Sequence, residues 1–145
     1  MFKHILLPTD GSELSAAAIQ QGISFAKSIG AKVTGLCVMP LQEMIFYDMV
    51  IPGEAFQKAT QPWRELAETY LAAIEKGAKK AGVECDVVYE RSDSPYEDII
   101  RVAEKKGCDL IMMASHGRRG VKAILLGSET QKVLTHSKIP VLVYR

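Results

Sequence analysis

The stretch Met112-Met113-Ala114-Ser115-His116-Gly117-Arg118-Arg119-Gly120, followed by Leu125-Leu126-Gly127-Ser128, decides how this chain folds. An apolar strand runs directly into small residues and glycines, and a basic loop then ends at a Gly-Ser pair that opens a helix. Glycine lets the backbone approach a ligand closely, and a helix N-terminus presents free N–H groups with a partial positive charge. Arg118 and Arg119 add cationic donors. The pattern predicts an anion site, and the anion that we expect is phosphate.

Strand-like and helix-like periodicities alternate along the whole chain, which favours a parallel sheet with helices on both faces. The length of 145 residues fits a single domain, residues 1–145. Two capping boxes, Ser94 to Glu97 and Ser128 to Gln131, predict Ser94 and Ser128 as N-caps of the third and fourth helices. The predicted strands are His4 to Leu7, Lys32 to Met39, Glu84 to Glu90, Asp109 to Ala114 and Pro140 to Tyr144, and the predicted helices are Ser12 to Gly30, Ala59 to Gly82, Ser94 to Gly107 and one from Ser128.

A carboxylate follows the first strand of this predicted sheet. Ligands of open parallel sheets bind beyond the carboxyl ends of the strands, where the strand order reverses. Asp10 follows the first strand and Ser115 follows the fourth, so the two face one crevice if these strands are neighbours. Two interpretations of Asp10 stay open: it stabilises the turn before the first helix, or it accepts from ribose hydroxyls or holds Mg²⁺ beside phosphates.

The Gly117 loop has alternatives of its own. It fits neither G-x-x-x-x-G-K-[ST] nor G-x-G-x-x-G, and a plain connector whose glycines serve turns is the competing interpretation. His116 in this loop has no serine or cysteine nucleophile with a paired acid, so we expect a phosphate contact or an exposed loop residue and assign no catalytic residue. The three histidines lack metal-ligand spacing, so no metal site built from the protein alone is expected.

Composition narrows the function classes. With 48% hydrophobic residues and a net charge of +1, the chain is predicted to be a soluble globular protein without a nucleic acid or membrane partner. Three cysteines without a C-x-x-C pair, and no charged leader before a long apolar run, predict buried thiols in a reducing cytoplasm. The irregular stretch Pro40 to Phe56 is either a lid or partner surface, or a segment packed over the sheet edge.

The sequence resembles the universal stress protein family, in its small single-domain form. The resemblance extends from Ile5-Leu6-Leu7-Pro8-Thr9-Asp10-Gly11-Ser12 to Pro140-Val141-Leu142-Val143. The family's ATP-binding signature is G-x-x-G, nine residues, then G-[ST]. Gly117 fills its second position and Gly127-Ser128 close it, while Ala114 stands in the first position instead of glycine. A response-regulator receiver is rejected, because its lysine should follow the fifth strand, whereas Lys138 precedes that strand and no fifth helix remains.

This resemblance implies a five-stranded parallel sheet of order 3-2-1-4-5, like that of the adenine nucleotide alpha hydrolases. It also implies ATP, with or without Mg²⁺, across the ends of strands one and four, in a stress-response regulatory protein. Slow ATP hydrolysis or adenylyl transfer is the alternative. By this analogy Asp10 meets the ribose, the backbone of Val38 meets the adenine, and the glycine loop with the amide of Glu129 holds the phosphates. The nucleotide-binding residues implied are Pro8, Thr9, Asp10, Val38, Met113, Ala114, Ser115, His116, Gly117, Arg118, Arg119, Gly127, Ser128, Glu129 and Thr130.

The last strand predicts a homodimer. It is apolar, lies at the sheet edge in the inferred order, and carries only Pro140 and Arg145 as residues that block pairing. Self-pairing about a two-fold axis would be antiparallel, and members of the family commonly dimerise in this way. The predicted interface residues are Val141, Leu142, Val143 and Tyr144.

Overall fold

The apolar runs of the sequence form a five-stranded parallel sheet in the order β3-β2-β1-β4-β5, as predicted. The structure, a computed structural model, describes residues 1–41, 53–117 and 125–145. Among these residues, no helix has the length and apolar character that a membrane span requires. The strands are β1 His4–Thr9, β2 Lys32–Met39, β3 Cys85–Arg91, β4 Leu110–Ala114 and β5 Val141–Tyr144, and the helices are α1 Glu13–Ile29, α2 Gly53–Ala81, α3 Pro95–Lys106 and α4 Ser128–His136.

The core lies on both faces of the sheet. Because side chains alternate along a strand, Ile5 and Leu7 pack against the α1 and α2 layer, whereas Leu6 packs against the α3 and α4 layer. All three side chains are fully buried. Burial of a side chain of this size contributes about 1.5–3 kcal/mol to folding. The central strand β1 is therefore fixed from both sides, and the residues that follow it start from a rigid base.

Both predicted capping boxes differ from the structure. Ser94 occupies the N-cap of α3, but its side chain makes no capping bond. In α4 the N-cap is Gly127, and Ser128 is the first helical residue, so the prediction of Ser128 as N-cap was wrong. The reason lies in the backbone of Gly127, which is extended and bonded to Ser115, so that Gly127 takes the N-cap position and the helix begins one residue earlier, at Ser128.

Helix α2 begins at Gly53, six residues before the predicted start at Ala59. The first buried residue of this helix is Thr60, and most residues ahead of it are exposed. Hydrophobic periodicity, which follows burial, therefore gave no signal for these first turns. Of the irregular stretch 40–56, residues 42–52 lie outside the described part of the chain, so the choice between a lid and a packed segment stays a prediction.

The pairing of β1 with β4 stops early, and this opens the crevice. Strand β1 pairs with β2 up to Thr9, but it pairs with β4 only at Ile5 and Leu6. The carbonyl of His4 points toward β4, where it accepts from the backbone N–H of Asp109 at 2.9 Å. Backbone groups alternate in direction along a strand, so the nitrogen of Pro8 points to the same side. Proline has no N–H to donate, and the two strands separate there.

Candidate functional site

The crevice between the carboxyl ends of β1 and β4 is where the strand order reverses. Strands β1 and β4 are neighbours, as the family resemblance implied, although α1, β2, α2, β3 and α3 lie between them in the chain. Asp10 leaves β1 on one side of the crevice, and Ser115 to Gly117 leave β4 on the other. The start of α4 returns to the end of β4, because Gly127 donates to Ser115.

Asp10 is half-buried and stabilises the turn that leads into α1. Its Oδ1 atom accepts a hydrogen bond from the backbone N–H of Ser12 at 2.9 Å. Its Oδ2 atom lies toward Gly117, on the other wall of the crevice. The turn role that the sequence left open is therefore present, and it leaves the carboxylate at the mouth of the crevice.

The other polar groups of this turn point inward. The hydroxyl of Thr9 accepts from the backbone N–H of Gly11 at 3.1 Å and lies 3.2 Å from the Ser15 hydroxyl. Thr9 is buried. Its side chain is thus committed to the turn, and a ligand at the crevice would meet its backbone instead.

Tyr70 is a site residue that sequence reasoning missed. Gly11 has a left-handed backbone with φ +78, and a Cβ added to it would stand 2.1 Å from the Tyr70 ring carbon Cζ. The ring of Tyr70, from α2, thus lies against the turn after β1. The helical spacing of apolar residues between Ala59 and Gly82 predicts only that Tyr70 lies on the buried face of a helix. No pattern in the sequence predicts its contact with Gly11, which lies 59 positions earlier.

Gly117 is required by close approach and not by its backbone conformation. A Cβ added at this position would lie 2.0 Å from Oδ2 of Asp10, which no real contact allows. Its φ is outside the left-handed region that favours glycine. The two walls of the crevice therefore touch at Asp10 and Gly117, and any side chain at 117 would displace the carboxylate.

Gly127 and Ser115 close the base of the loop that contains the basic residues. The backbone N–H of Gly127 donates to the carbonyl of Ser115 at 2.7 Å. A Cβ at Gly127 would stand 3.1 Å from the Cα of His116. The backbone N–H of Ser115 in turn donates to the carbonyl of Tyr144 at 2.8 Å, which ties the loop to β5.

The start of α4 faces this closed base. Ser128 is exposed in the first turn, with Glu129 next to it. The Thr130 hydroxyl donates to the carbonyl of Ala114 at 2.9 Å and is buried, so it anchors α4 to the end of β4. The first N–H groups of a helix lack partners within the helix and attract anions. The anchored helix start thus offers backbone donors. The Thr130 hydroxyl holds the helix in place and is not available to contact a ligand.

The side chain of Glu129 turns away from the crevice. Its Oε2 atom accepts from the backbone N–H of Tyr96 at 2.9 Å, and its Oε1 atom accepts from the Lys132 ammonium at 3.0 Å. Sequence analysis assigned only the amide of Glu129 to the site. The contact with Tyr96, which lies 33 positions earlier in the chain, had no signal in the sequence.

The remaining predicted residues are placed as follows. Met113 and Ala114 are buried at the end of β4, and Val38 is half-buried near the end of β2, in the same core cluster as Met113. His116 is half-buried, with its Nδ1 atom 3.1 Å from the Ser115 hydroxyl. Arg118 and Arg119 lie outside the described residues, so their phosphate contacts stay predictions.

The described side chains at the crevice do not form a metal site by themselves. Within residues 1–41, 53–117 and 125–145, no group of three or more His, Cys, Asp or Glu side chains is arranged to hold a metal ion. Asp10 is therefore a single carboxylate at the crevice. A Mg²⁺ ion there would take most of its ligands from phosphates and water, which is how Mg²⁺ is usually bound beside nucleotides.

Two clefts lie at the opposite, amino edge of the sheet, with volumes of about 310 and 280 Å³. Lys3, Lys27 and Lys32 line the larger one, together with the ends of α1 and α2 at Gly30 and Gly82. Helix carboxyl ends carry partial negative charge, which these lysines balance. This edge therefore does not reproduce the anion-binding geometry of the crevice.

His4 is buried beside the smaller cleft. Its Nε2 atom lies 2.7 Å from the hydroxyl of Thr34. Burial, together with the positive charge of Lys32, lowers the pKa of His4 below its usual value. The neutral imidazole is thus the form that the fold accommodates.

The comparison with known families covers the whole chain. The model of the universal stress protein family matches residues 1–145. Universal stress protein MJ0531 of Methanocaldococcus jannaschii is 31% identical over 146 residues, which cover 100% of this chain and 83% of that protein. The predicted membership of this family is confirmed.

Solved structures agree with the fold. The hypothetical protein MJ0577 of Methanocaldococcus jannaschii has a TM-score of 0.85 and 32% identity, covering 99% of this chain and 95% of its own. A universal stress protein in complex with cAMP has a TM-score of 0.66 and 22% identity, covering 99% and 97%. A universal stress protein family member from Arabidopsis thaliana with AMP bound has a TM-score of 0.66 and 17% identity, covering 97% and 90%.

Proposed function

Because this chain belongs to the universal stress protein family, we propose that it binds ATP as a regulatory ligand in the crevice between β1 and β4. The observation that carries the proposal is the meeting of Asp10, Gly117 and the start of α4 at one point of the sheet. A carboxylate that accepts from sugar hydroxyls and a helix start that donates to phosphates are thereby adjacent.

The glycines support a nucleotide of this kind. Side chains at Gly117 and Gly127 would fill the walls of the crevice, where phosphates need close approach to the backbone. In this proposal Gly117, Gly127, Ser128 and the amide of Glu129 hold the phosphates, with Arg118 and Arg119 as cationic donors. Asp10 meets the ribose, and the backbone of Val38 meets the adenine. The relatives with bound cAMP and AMP support an adenine nucleotide as the ligand class.

The role is regulatory and not catalytic in this proposal. The Ser115 hydroxyl lies close to His116, but Ser115 is only 1% exposed, so its hydroxyl cannot meet a substrate. Burial raises the pKa of the Cys85 and Cys108 thiols to about 11, so both stay protonated and poorly nucleophilic at neutral pH. The three cysteines are free, which supports placing the protein in the reducing cytoplasm.

Titration calorimetry with ATP, AMP, cAMP and adenosine tests this function. We expect micromolar affinity for ATP and weaker binding of adenosine, because adenosine has no phosphate to contact the start of α4. Equal affinity for ATP and adenosine would show that the phosphate contacts are wrongly assigned. The absence of binding for all four ligands would overturn the proposed function.

A regulatory role also requires that the ligand change the protein. Hydrogen exchange with and without saturating ATP is expected to slow exchange at the turn after β1 and at the start of α4. Light scattering under the same two conditions reports any change of assembly. Bound ATP without a change in either measurement would contradict regulation while leaving binding intact.

A further inference from the structure

The carboxylate of Glu129 connects the first turns of two helices. Glu129 is the second residue of α4, and it accepts from the backbone N–H of Tyr96, the second residue of α3. Its other oxygen accepts from Lys132, one turn further along α4. We assign the start of α4 to phosphate binding. This helix start therefore carries a negatively charged side chain, which its hydrogen bond to Tyr96 holds against α3.

The start of α3 explains why the carboxylate is held there. The side chain of Ser94 makes no capping bond, and Pro95 has no N–H, so the N–H of Tyr96 is the first donor of this helix. An anionic acceptor at a helix start is favourable because of the partial positive charge there. Glu129 therefore replaces the capping box that the sequence predicted for α3.

The Tyr96 side chain is also fixed by α4. Its ring centroid lies 5.2 Å from that of His136, and the Lys132 ammonium lies 5.4 Å from the ring centroid. Glu129, Lys132 and His136 follow one face of α4, because their spacings of three and four residues place them above one another. The carboxylate of Glu129 is thus one part of a contact that holds the start of α3 against one face of α4, and its position is set by this contact.

We propose that Glu129 is a positioning residue that sets how strongly the site distinguishes nucleotides by the charge of their phosphates. The inference rests on the proposed function, since it concerns the same start of α4. Each phosphate charge that binds there meets, in the first turn, the negative member of the Glu129–Lys132 ion pair, whose positive member lies one turn further from the helix start. The Tyr96 amide and the Lys132 ammonium keep this charge from moving into the crevice, so it weakens polyphosphate binding without blocking it.

Removal of this charge is expected to favour ATP over AMP. At separations of several ångströms in a solvated site, one unit charge changes the affinity by about two- to threefold per phosphate charge. In Glu129→Gln the amide oxygen still accepts from Tyr96, so the link between the helices persists. We expect the ratio of ATP to AMP affinity to rise about three- to tenfold in this variant, with adenosine affinity unchanged.

Calorimetry with ATP, AMP and adenosine on the unsubstituted chain, Glu129→Gln and Glu104→Gln tests this role. Glu104 is exposed near the far end of α3, so its substitution removes the same net charge away from the site. The shift is expected in Glu129→Gln alone and is expected to shrink at high salt, where exposed charges are screened. An unchanged ratio, or the same shift in Glu104→Gln, would overturn the inference.

Hydrogen exchange at the Tyr96 amide gives a readout that needs no nucleotide. We expect faster exchange in Glu129→Ala, which removes the acceptor, and near-normal exchange in Glu129→Gln. Unaltered Tyr96 protection in Glu129→Ala would overturn the positioning role directly. If the unsubstituted chain binds no nucleotide, the proposed function fails and the charge selection fails with it. If ATP binds but the ratio does not shift, only this inference fails.

Discussion

The Oδ2 atom of Asp10 lies so close to Gly117 that a Cβ on this glycine would stand 2.0 Å from it. Asp10 and Gly117 follow the ends of β1 and β4, and 107 positions separate them in the chain. The carboxylate that we assign to the ribose therefore faces Gly117 directly across the crevice. The relationship makes Gly117 the most sensitive position of the crevice.

Substitution of Gly117 is expected to abolish nucleotide binding while the fold persists. In Gly117→Ala the carboxylate of Asp10 must move, so we expect the affinity for ATP and for adenosine to fall together. In Gly117→Val the side chain also occupies phosphate space, and binding should be lost in calorimetry. Circular dichroism melts should stay close to those of the unsubstituted chain, because Gly117 is exposed and its clash is with one mobile carboxylate.

Gly107→Ala is the matched control for this experiment. Gly107 has φ +69, and a Cβ there would meet nothing within 4 Å. Its substitution should cost about 1–2 kcal/mol of stability through backbone strain and leave ATP binding unchanged. A Gly117→Val protein that binds ATP normally would show that the loop assignment is wrong.

Ser128→Ala is expected to leave helix α4 almost as stable as before. Gly127 is the N-cap and Ser128 makes no capping bond, so the usual loss of about 0.5–2 kcal/mol for a removed N-cap side chain should be absent. ATP affinity should fall in part, since the hydroxyl lies exposed at the phosphate end. Ser12→Ala provides the contrast, because the Ser12 hydroxyl caps α1 by accepting from the N–H of Ser15 at 3.2 Å.

Denaturant titrations on both serine variants decide this point. The Ser12→Ala protein should lose stability by the amount usual for a true cap, while Ser128→Ala stays within experimental error of the unsubstituted chain. A full cap-sized loss in Ser128→Ala would mean that the helix begins with Ser128 as its N-cap in solution.

The stability of the fold is expected to decrease when the pH falls below the ordinary pKa of histidine. Burial lowers the pKa of His4 in the folded chain, so between the folded value and about 6.5 the unfolded chain binds more protons. Stability therefore rises with pH through this window and is lost as the pH falls through it. Urea titrations at pH 8 and at pH 5.5 measure the difference.

His4→Gln should flatten this pH dependence, because an amide can still bond to Thr34 but does not titrate. His136→Gln is the control, since His136 is exposed at the end of α4, far from His4. An equally steep pH dependence in His4→Gln would exclude His4 as its source.

We predict a homodimer through β5, which forms one edge of the described sheet. Leu142 is 38% exposed on one face of this strand, and Val141 and Val143 are half-buried on the other. An apolar edge strand of this kind normally pairs with another strand, and antiparallel self-pairing about a two-fold axis would satisfy its backbone groups. Light scattering over a dilution series should give a dimer at high micromolar concentration.

Val141→Asp and Val143→Lys are expected to shift this dimer toward the monomer while melts confirm folded chains. Leu142→Asp tests the opposite face of the same strand. A native chain that runs as a monomer at high micromolar concentration would show that the edge does not self-associate.

Hydrolysis of ATP is expected to be far slower than the ~10 s⁻¹ typical of enzymes. No described residue combines an accessible nucleophile with a positioned base, since Ser115 is buried beside His116. Steady-state phosphate release measures the rate. Turnover at an ordinary enzymatic rate that disappears in His116→Ala or Asp10→Asn would favour the enzyme alternative.

Local patterns were sufficient to predict the elements and the parallel sheet, whereas the strand order followed only from the family resemblance. The apolar strands, the glycines that end α1 and α3, and the alternation of strands with helices each act over a few residues, and the structure follows them. Strand ends at Arg91 and Thr9 differ by one or two residues from the prediction, because pairing with a neighbour and not composition decides where a strand stops.

Contacts between segments that are distant in the chain could not be predicted from the sequence. The capping-box pattern predicted that Ser94 and Ser128 cap α3 and α4. In the structure the Glu129 carboxylate of α4 accepts the first N–H of α3, and Gly127 is the N-cap of α4. Tyr70 at the turn of Gly11 belongs to the same class. Each depends on how helices pack on the sheet, and no spacing along the chain encodes that directly.

The proline in the central strand has a consequence for the free energy of ligand entry. A continuous β1–β4 ladder would close the sheet at this point, and each arriving ligand would have to break backbone hydrogen bonds worth about 0.5–1.5 kcal/mol apiece. Pro8 has no N–H on the side of β4, so no such bond exists to be broken. The opening is preorganised by covalent structure, which spares the ligand a conformational penalty. Pro8→Val would restore the missing donor, and ligand binding would then compete with additional pairing between β1 and β4.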